Sequence, residues 1–493
     1  MSVLWDALNN IDNFAISLLL LSLGIALFYE MINGFHDTGN AVAMIIYTNS
    51  MKATNSVIMA GIMNFIGVIL GGIGVAYVIV HLLPLDIMVS SDQNATLVMI
   101  FSLLISAVIW NFGTWYFGLP VSSSHSLIGS IVGVSIAFGM MNGFTFSQSV
   151  NWKVVYGILT ALAVSPLLGF GFAFLIMKLS RKFVKNPKFF KTPTGDKKKK
   201  PNFWMRTGII ATGAGVSFAH GSNDGQKGIG LIMIILIGIL PTYYALNMEA
   251  HQYKIMQTRD AAANLAKFYA DNNDNLTKLV NEKRLISALK IENTIAECNV
   301  NQVYNTTLEI STKLDGLKSY SELSSDDRWK IHTAVLCSDN FFGQAEKAYK
   351  SIDKDKSDYI ADQRKQMITS TEYVPYWVII AVALMLGIGT MIGYKRVVHT
   401  IGEKIGTKPI NHMQGAVSQA MAMVTILLAN FAHAPVSTTH IVSSSVAGTM
   451  VAEPDGSVQK KTVNTILLAW IFTLPITALM GAGIYVCLNY FIK

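Results

Sequence analysis

The hexapeptide PVSSSH at residues 120–125 opens an uncharged apolar run, SLIGSIVGVSIAF, and returns as PVSTTH at 435–440 before IVSSSVAGTM. Proline suits the first turn of a helix, where its missing N–H would have had no partner. Serine and threonine cap the exposed N–H groups beside it. Both stretches therefore read as helix starts. A helix N-terminus carries about half a positive charge and unpaired N–H donors, which suits a phosphate-like oxyanion. One such motif is accounted for by capping alone, whereas a matched pair points to an anion site.

The 493-residue chain is 52% hydrophobic and only 14% charged, and its mean hydropathy is +0.42. A soluble domain is nearer 25% charged, so composition alone makes this a membrane protein. A span needs about 20 apolar residues. The stretches that approach this are 14–32, 57–80, 95–116, 120–140, 154–178, 207–240, 375–394, 415–432, 434–451 and 464–488. Residues 1–13 lack the basic region of a signal peptide, so the first stretch is expected to stay as a span.

The formal net charge of +8 is concentrated in one place. Residues 178–206 hold eleven Lys or Arg against Asp196 alone, including the run Lys197 to Lys200, while 247–374 hold 17 basic and 19 acidic residues. Between two spans a basic run is a cytoplasmic loop near anionic lipid rather than a nucleic-acid surface. Alternation then puts the segment 247–374 and both termini outside. Lys52, Lys395 to Lys408 and the Lys460–Lys461 loop fall inside, as the positive-inside rule requires. Five spans precede the basic loop and five follow it. Homologous halves of odd span number must be inverted relative to one another, the plan of many secondary transporters.

Spacing supports duplication. Gly34-Phe35-His36-Asp37 precedes PVSSSH, and Gly221-Ser222-Asn223-Asp224 precedes PVSTTH. Asp37 to Pro120 is 83 residues and Asp224 to Pro435 is 211; the difference, 128, equals the length of the polar segment 247–374. Removing that segment aligns both motif pairs and sets Gly72 and Gly74 on Gly387 and Gly389. The expected fold is an all-α integral membrane protein of two inverted repeats with broken or re-entrant helices. Its parts are the first repeat (1–177), a basic cytoplasmic loop (178–206), the start of the second repeat (207–246), an extracytoplasmic insert (247–374) and the rest of the second repeat (375–493). The insert reads as a small helical domain or a pair of long helices, with helix over 257–292. Cys298 and Cys337 lie in it, and an oxidising compartment favours a disulfide between them.

Asp37 and Asp224 interrupt apolar stretches at equivalent places, and an intramembrane carboxylate is functional by default. Gly34, Gly39, Gly221, Gly225 and Gly228 are expected to let each helix break and free backbone groups for an ion. Asn40, Asn223 and Gln226 add neutral donors and acceptors, and Lys227 can offset Asp224 or meet an anion. His125 and His440 read as packing residues or proton carriers. Gly67-x-x-x-Gly71 and Gly129-x-x-x-Gly133 read as close helix packing. No GxGxxG, Walker loop, HExxH or CxxC is present, so the sequence offers no case for a nucleotide-driven pump or a zinc hydrolase, and the chain reads as no enzyme.

GFHDTGNA (34–41) and GSNDGQKG (221–228), with PVSSSH and PVSTTH, resemble the inorganic phosphate transporter (PiT) family, its low-affinity bacterial branch above all. The resemblance covers about 1–240 and 375–493. It implies a plasma-membrane (bacterial inner-membrane) symporter that imports inorganic phosphate by alternating access, coupled to protons or alternatively to sodium. It also implies that phosphate travels in some members as a neutral divalent-metal complex, with no resident cofactor. Ser122, Ser123, Ser124, Ser437, Thr438, Thr439, Asn40 and Gln226 are then the substrate-binding set. Asp37, Asp224, His36 and Asn223 handle the proton or coupling cation, and Asp37 and Asp224 the metal or sodium if either is carried. His36 replaces the family's asparagine, and Asn64 stands where animal members carry a coupling glutamate; both departures favour protons. Inorganic phosphate and membrane lipid are the expected partners, with a homodimer left open. Two other readings stay open: a sulfate or other oxyanion permease of the same fold, and a membrane-anchored sensor acting through 247–374.

Overall fold

The structure, a computed structural model, describes residues 2–83, 93–119, 121–193, 200–280, 302–393, 398, 405–454 and 458–492. Pro120, Lys197 to Lys199 and Cys298 lie outside the described residues, so the expected disulfide falls only half within them. The described chain is helical, without strands. In order it forms α1 (Ser2–Asn10), α2 (Asn13–Tyr47), α3 (Ala53–Leu70), α4 (Gly74–Val80), α5 (Gln93–Tyr116), α6 (Ser123–Met141), α7 (Trp152–Phe183) and α8 (Phe203–Ile239). Then come α9 (Gln252–Leu279), α10 (Val303–Lys313), α11 (Ser325–Tyr349) and α12 (Lys354–Ile368). The last four are α13 (Tyr376–Met391), α14 (His412–Phe431), α15 (Thr438–Val451) and α16 (Lys460–Ile492). Two compact units divide the chain, one holding Met1–Leu19 and Ile235–Pro375, the other Leu20–Leu85, Asn94–Ile234 and Tyr376–Lys493.

The first unit contains a bundle of α9, α10, α11 and α12. Leu265 and Tyr269 of α9, Ile310 of α10, Phe341 and Phe342 of α11 and Ile360 of α12 share its core. Arg364 of α12 holds Asp339 of α11 by two parallel bonds of 2.9 and 3.0 Å and also reaches Glu346. The fork of a guanidinium matches a carboxylate, which fixes the register of α12 on α11. α9 ends at Leu279, and the remainder of the helix expected over 257–292 falls outside the described residues from 281 onward.

The second unit is built inside out. Leu167, Phe472 and Leu479 are among the large apolar side chains on its surface, while many of its polar side chains, among them Asn64, Ser106 and Thr390, are buried, the pattern of a bundle whose solvent is lipid. Among the described residues seven helices are long and apolar enough to cross a membrane: α2, α3, α5, α6, α7, α14 and α16. Three of the ten expected stretches, 207–240, 375–394 and 434–451, fall outside this set. The stretch 57–80 is split between α3 and α4, because Gly72 takes a left-handed φ of +80° that only glycine adopts freely. α13 has 16 residues and α15 has 14, and α8 carries the polar GSNDGQK turns at its centre.

A second correction concerns the aspartate motifs. The helices do not break there: α2 runs unbroken through Gly34 and Gly39, and α8 through Gly221, Gly225 and Gly228. Three of these glycines serve close approach instead. A methyl on Gly34 would stand 2.8 Å from Thr390 N, and one on Gly221 would stand 2.8 Å from the Asn64 carbonyl carbon. On Gly225 it would strike Val68 of α3. The breaks fall at 71–73 and just before Ser122 and Ser437, where the serine and threonine motifs start new helices. Gly129 and Gly133 of α6 lie against the backbone of α16 at Leu474 and Ala478, the close packing that their spacing implies.

Candidate functional site

On α2, Glu30, Asn33, Asp37 and Asn40 fall at i, i+3, i+7 and i+10, one polar stripe on an apolar helix. On α8, His220, Asn223, Asp224 and Lys227 make the matching stripe. All eight are buried. Burying charge costs several kcal/mol per ion unless donors and counter-charges surround it, and the two aspartates have both.

Asp37 receives Thr439 Oγ1 at 2.7 Å and Thr438 Oγ1 at 3.2 Å, both from the first turn of α15. His36 Nδ1 lies 3.4 Å from its Oδ1, and His220 Nε2 lies 3.3 Å from its Oδ2. Asp224 pairs with Lys227 Nζ at 2.8 Å and has His220 Nε2 at 3.7 Å. Ser123 Oγ of α6 sits between the carboxylates, 3.5 Å from Asp37 and 3.4 Å from Asp224. Lys227 Nζ also donates to Ser124 Oγ at 2.5 Å and to the Val436 carbonyl at 2.7 Å. One ammonium, two carboxylates and the first turns of two helices thus meet in one enclosed centre.

The other expected residues are placed around this centre in separate roles. Ser122 and Ser437 are the N-caps of α6 and α15, accepting from His125 N at 3.1 Å and His440 N at 3.2 Å. Ser124 Oγ donates to the Val436 carbonyl at 2.9 Å. Asn40 Nδ2 donates to Thr439 Oγ1 at 3.1 Å, so it orients the hydroxyl that reaches Asp37. Asn223 braces the break before α15, bonding Asn430 at 2.6 Å and the Ala434 carbonyl at 3.1 Å and accepting from Val436 N at 3.2 Å. Gln226 braces the other break: it accepts from Val75 N at 2.8 Å and donates to the carbonyls of Gly71 and Ser222 at 2.8 and 2.7 Å. Its amide is thereby directed at backbone, not at the carboxylates. His125 and His440 meet at a tilt with centroids 4.6 Å apart, and His440 stacks on Trp470 at 3.9 Å.

His220 is the residue that sequence reasoning missed. It lies one turn before Asp224, and that i, i+4 spacing was the available signal. Its Nδ1 lies 2.9 Å from Asn64 Oδ1, and Asn64 Nδ2 donates to Thr390 Oγ1 at 2.7 Å. Ligand atoms of Asp37, His220 and Asp224 all fall within 4.8 Å of one another, close enough to hold one metal ion. Two oxygens and an imidazole nitrogen suit a divalent cation of intermediate hardness.

Residues 33–481 match the phosphate transporter family. The chain is 43% identical over 480 residues to the low-affinity inorganic phosphate transporter PitA of Escherichia coli (strain K12), covering 95% of this chain and 96% of that protein. It is 42% identical over 487 residues to PitB of the same organism, another low-affinity inorganic phosphate transporter, covering 96% and 97%. Among solved structures it resembles the sodium-dependent phosphate transporter, with a TM-score of 0.52 at 19% identity over 96% of this chain and 99% of that one.

Proposed function

The chain belongs to the phosphate transporter family, a family of transporters and not of enzymes, and from that premise we propose that it imports inorganic phosphate as a proton-coupled symporter working by alternating access. The observation that carries this reading is the crossed contact of the two motif pairs. Hydroxyls of the second Ser/Thr motif hold the first aspartate, and a hydroxyl of the first motif reaches the second aspartate.

The chemistry follows from donor supply. Each hydroxyl has one proton to donate. While Ser123, Thr438 and Thr439 give theirs to carboxylates, they cannot give them to phosphate. A cation arriving between Asp37, His220 and Asp224 takes over the neutralisation of the carboxylates. The hydroxyls and Lys227 then turn to the oxyanion at the N-termini of α6 and α15. Binding of cation and anion is coupled because they share the same donors. The Asp37–His220–Asp224 cluster supports a second form of the substrate, a neutral divalent metal–phosphate complex whose metal sits on those three residues.

Packing supports two inverted repeats. Gly67 meets the Phe218 carbonyl and Gly389 meets the Met31 carbonyl; Phe218 and Met31 each lie six residues before their aspartates. Gly133 of α6 and Gly448 of α15, each 13 residues after the proline of its motif, press on Ala478 and Phe170 of their partner helices. Gly67, rather than Gly74, is in this reading the counterpart of Gly389. In this reading the protein sits in the bacterial inner membrane, with the termini and 247–374 outside.

Radiolabelled phosphate uptake into proteoliposomes tests the function, with sulfate as competitor and with a pH gradient or sodium imposed in turn. Uptake that is driven by an inward proton gradient and indifferent to sulfate is expected. Uptake of sulfate in preference, or no flux at all, overturns the reading.

A further inference from the structure

Among the described residues three acidic side chains are buried: Glu30, Asp37 and Asp224. Two of them gather donors, as described above. Glu30 gathers none: it is 0% exposed, and neither Oε1 nor Oε2 has a hydrogen-bond partner. Asn33, one turn on along the same face, is the amide beside it, and its own Oδ1 is unmatched.

The surroundings make this placement specific. The Glu30 carboxyl packs directly on Gly228 of α8, so closely that a methyl there would overlap its Cδ. Gly228 follows Lys227, whose ammonium is already held by Asp224, Ser124 and the Val436 carbonyl. The charged and titratable groups that face Glu30 are Asp224 and Lys227 from α8 and Tyr29 from its own helix, whose hydroxyl donates to the Ser123 carbonyl at 3.3 Å. The Tyr29 hydroxyl has the neutral Asn111 of α5 beside it. A carboxylate so enclosed would have only the Asn33 amide beside it, an ammonium already committed to Asp224, and a carboxylate for a neighbour, whereas the neutral acid is tolerated there.

We propose that Glu30 is the carboxyl that carries the coupling proton, loaded as the neutral acid and emptied once in each transport cycle. The proposal rests on the proton-coupled reading above and adds the residue that executes it. The step is a single proton transfer: an O–H bond forms on Glu30 with a proton from water on the loading side, and the same bond breaks to water on the other side. Asp37 and Asp224, already surrounded by donors, remain the pair that answers the substrate. Seven residues separate Glu30 from Asp37, two helical turns on one face of α2, so the proton site and the substrate site are joined by one rigid element.

Wild-type protein and Glu30→Gln are compared in proteoliposomes loaded with phosphate. Glutamine has the size and neutrality of the protonated acid. The variant is expected to retain phosphate–phosphate exchange at equal pH and to lose all stimulation by an inward proton gradient. Gradient stimulation equal to wild type overturns this proposal alone; wild-type vesicles without phosphate uptake overturn the transport reading and this proposal with it. A second measurement needs no variant. Dicyclohexylcarbodiimide attacks protonated carboxyls in apolar surroundings, and peptide mass mapping of the labelled wild-type protein should find the adduct on Glu30, decreasing as pH is raised. A Glu30 that stays unlabelled across the pH range overturns the proposal.

Discussion

Thr439 Oγ1 donates to Asp37 Oδ1 at 2.7 Å, across 402 residues of sequence. That bond joins the Ser/Thr motif of one half to the aspartate motif of the other. Thr439→Val keeps the shape and removes the hydroxyl. A hydrogen bond to a charged group contributes about 1.5–3 kcal/mol, so phosphate uptake by the variant should fall on the order of 10- to 100-fold. Uptake kinetics at matched protein per vesicle check this.

Ser122 and Ser437 are caps and should behave as such. Alanine at either position should cost about 1 kcal/mol of stability while changing the KM for phosphate less than Ser123→Ala or Thr438→Val does. Thermal melting of purified protein, set beside uptake, separates the two classes.

Much of this centre is legible in the sequence. Asp37, Asp224 and the two Ser/Thr motifs stand out because intramembrane charge and paired helix starts are rare. Which hydroxyl caps and which reaches a carboxylate was not legible, because that depends on the orientation of a first helical turn, and Ser122 and Ser123 differ only in that. Gln226 and Asn223 read as ligands but brace the breaks beside them, since an amide serves a backbone gap as well as it serves a substrate. The glycines at 34 and 221 pointed to helix breaks because their partners, Thr390 and Asn64, lie too far along the chain for any local pattern to reveal the close approach. Hydropathy likewise cannot distinguish one 24-residue apolar stretch from two helices hinged at Gly72, nor show that the stretch 434–451 forms a helix of only 14 residues.

Close approach gives its own prediction within α2. Gly34→Ala places a methyl against the backbone of Leu386 and Thr390, which cannot move without displacing α13, whereas a methyl at Gly24 meets nothing within 4 Å. Gly34→Ala should reduce the folded yield sharply, by overpacking of about 1–3 kcal/mol or more. Gly24→Ala should express as wild type. Size-exclusion profiles of the two variants decide it.

In the first unit, burial pushes the Glu372 carboxyl up to about 7, helped by Asp339 and opposed by Arg364. A carboxyl whose folded-state value is raised stabilises the fold fully below its unfolded value, about 4.3. That stability is lost as pH rises to about 7, because the folded state holds the proton the unfolded state has released. The loss is on the order of 3 kcal/mol. Unfolding of the first unit should therefore become easier between about pH 4.3 and pH 7, and Glu372→Gln should flatten the profile.

Cys337 is buried and Cys487 is free. We propose the bridge from Cys337 to Cys298. Denatured, unreduced protein should then accept one maleimide per chain, on Cys487, and three after reduction. Three labels before reduction would remove the bridge.

The central claim is that the crossed motifs form one phosphate-transporting centre around Asp37. Asp37→Asn keeps the size of the side chain and its reach to Thr438 and Thr439, and removes its charge. Reconstituted at wild-type density and given an inward proton gradient, the variant should fold, insert and take up no radiolabelled phosphate above empty vesicles. Uptake at the wild-type rate would contradict the account.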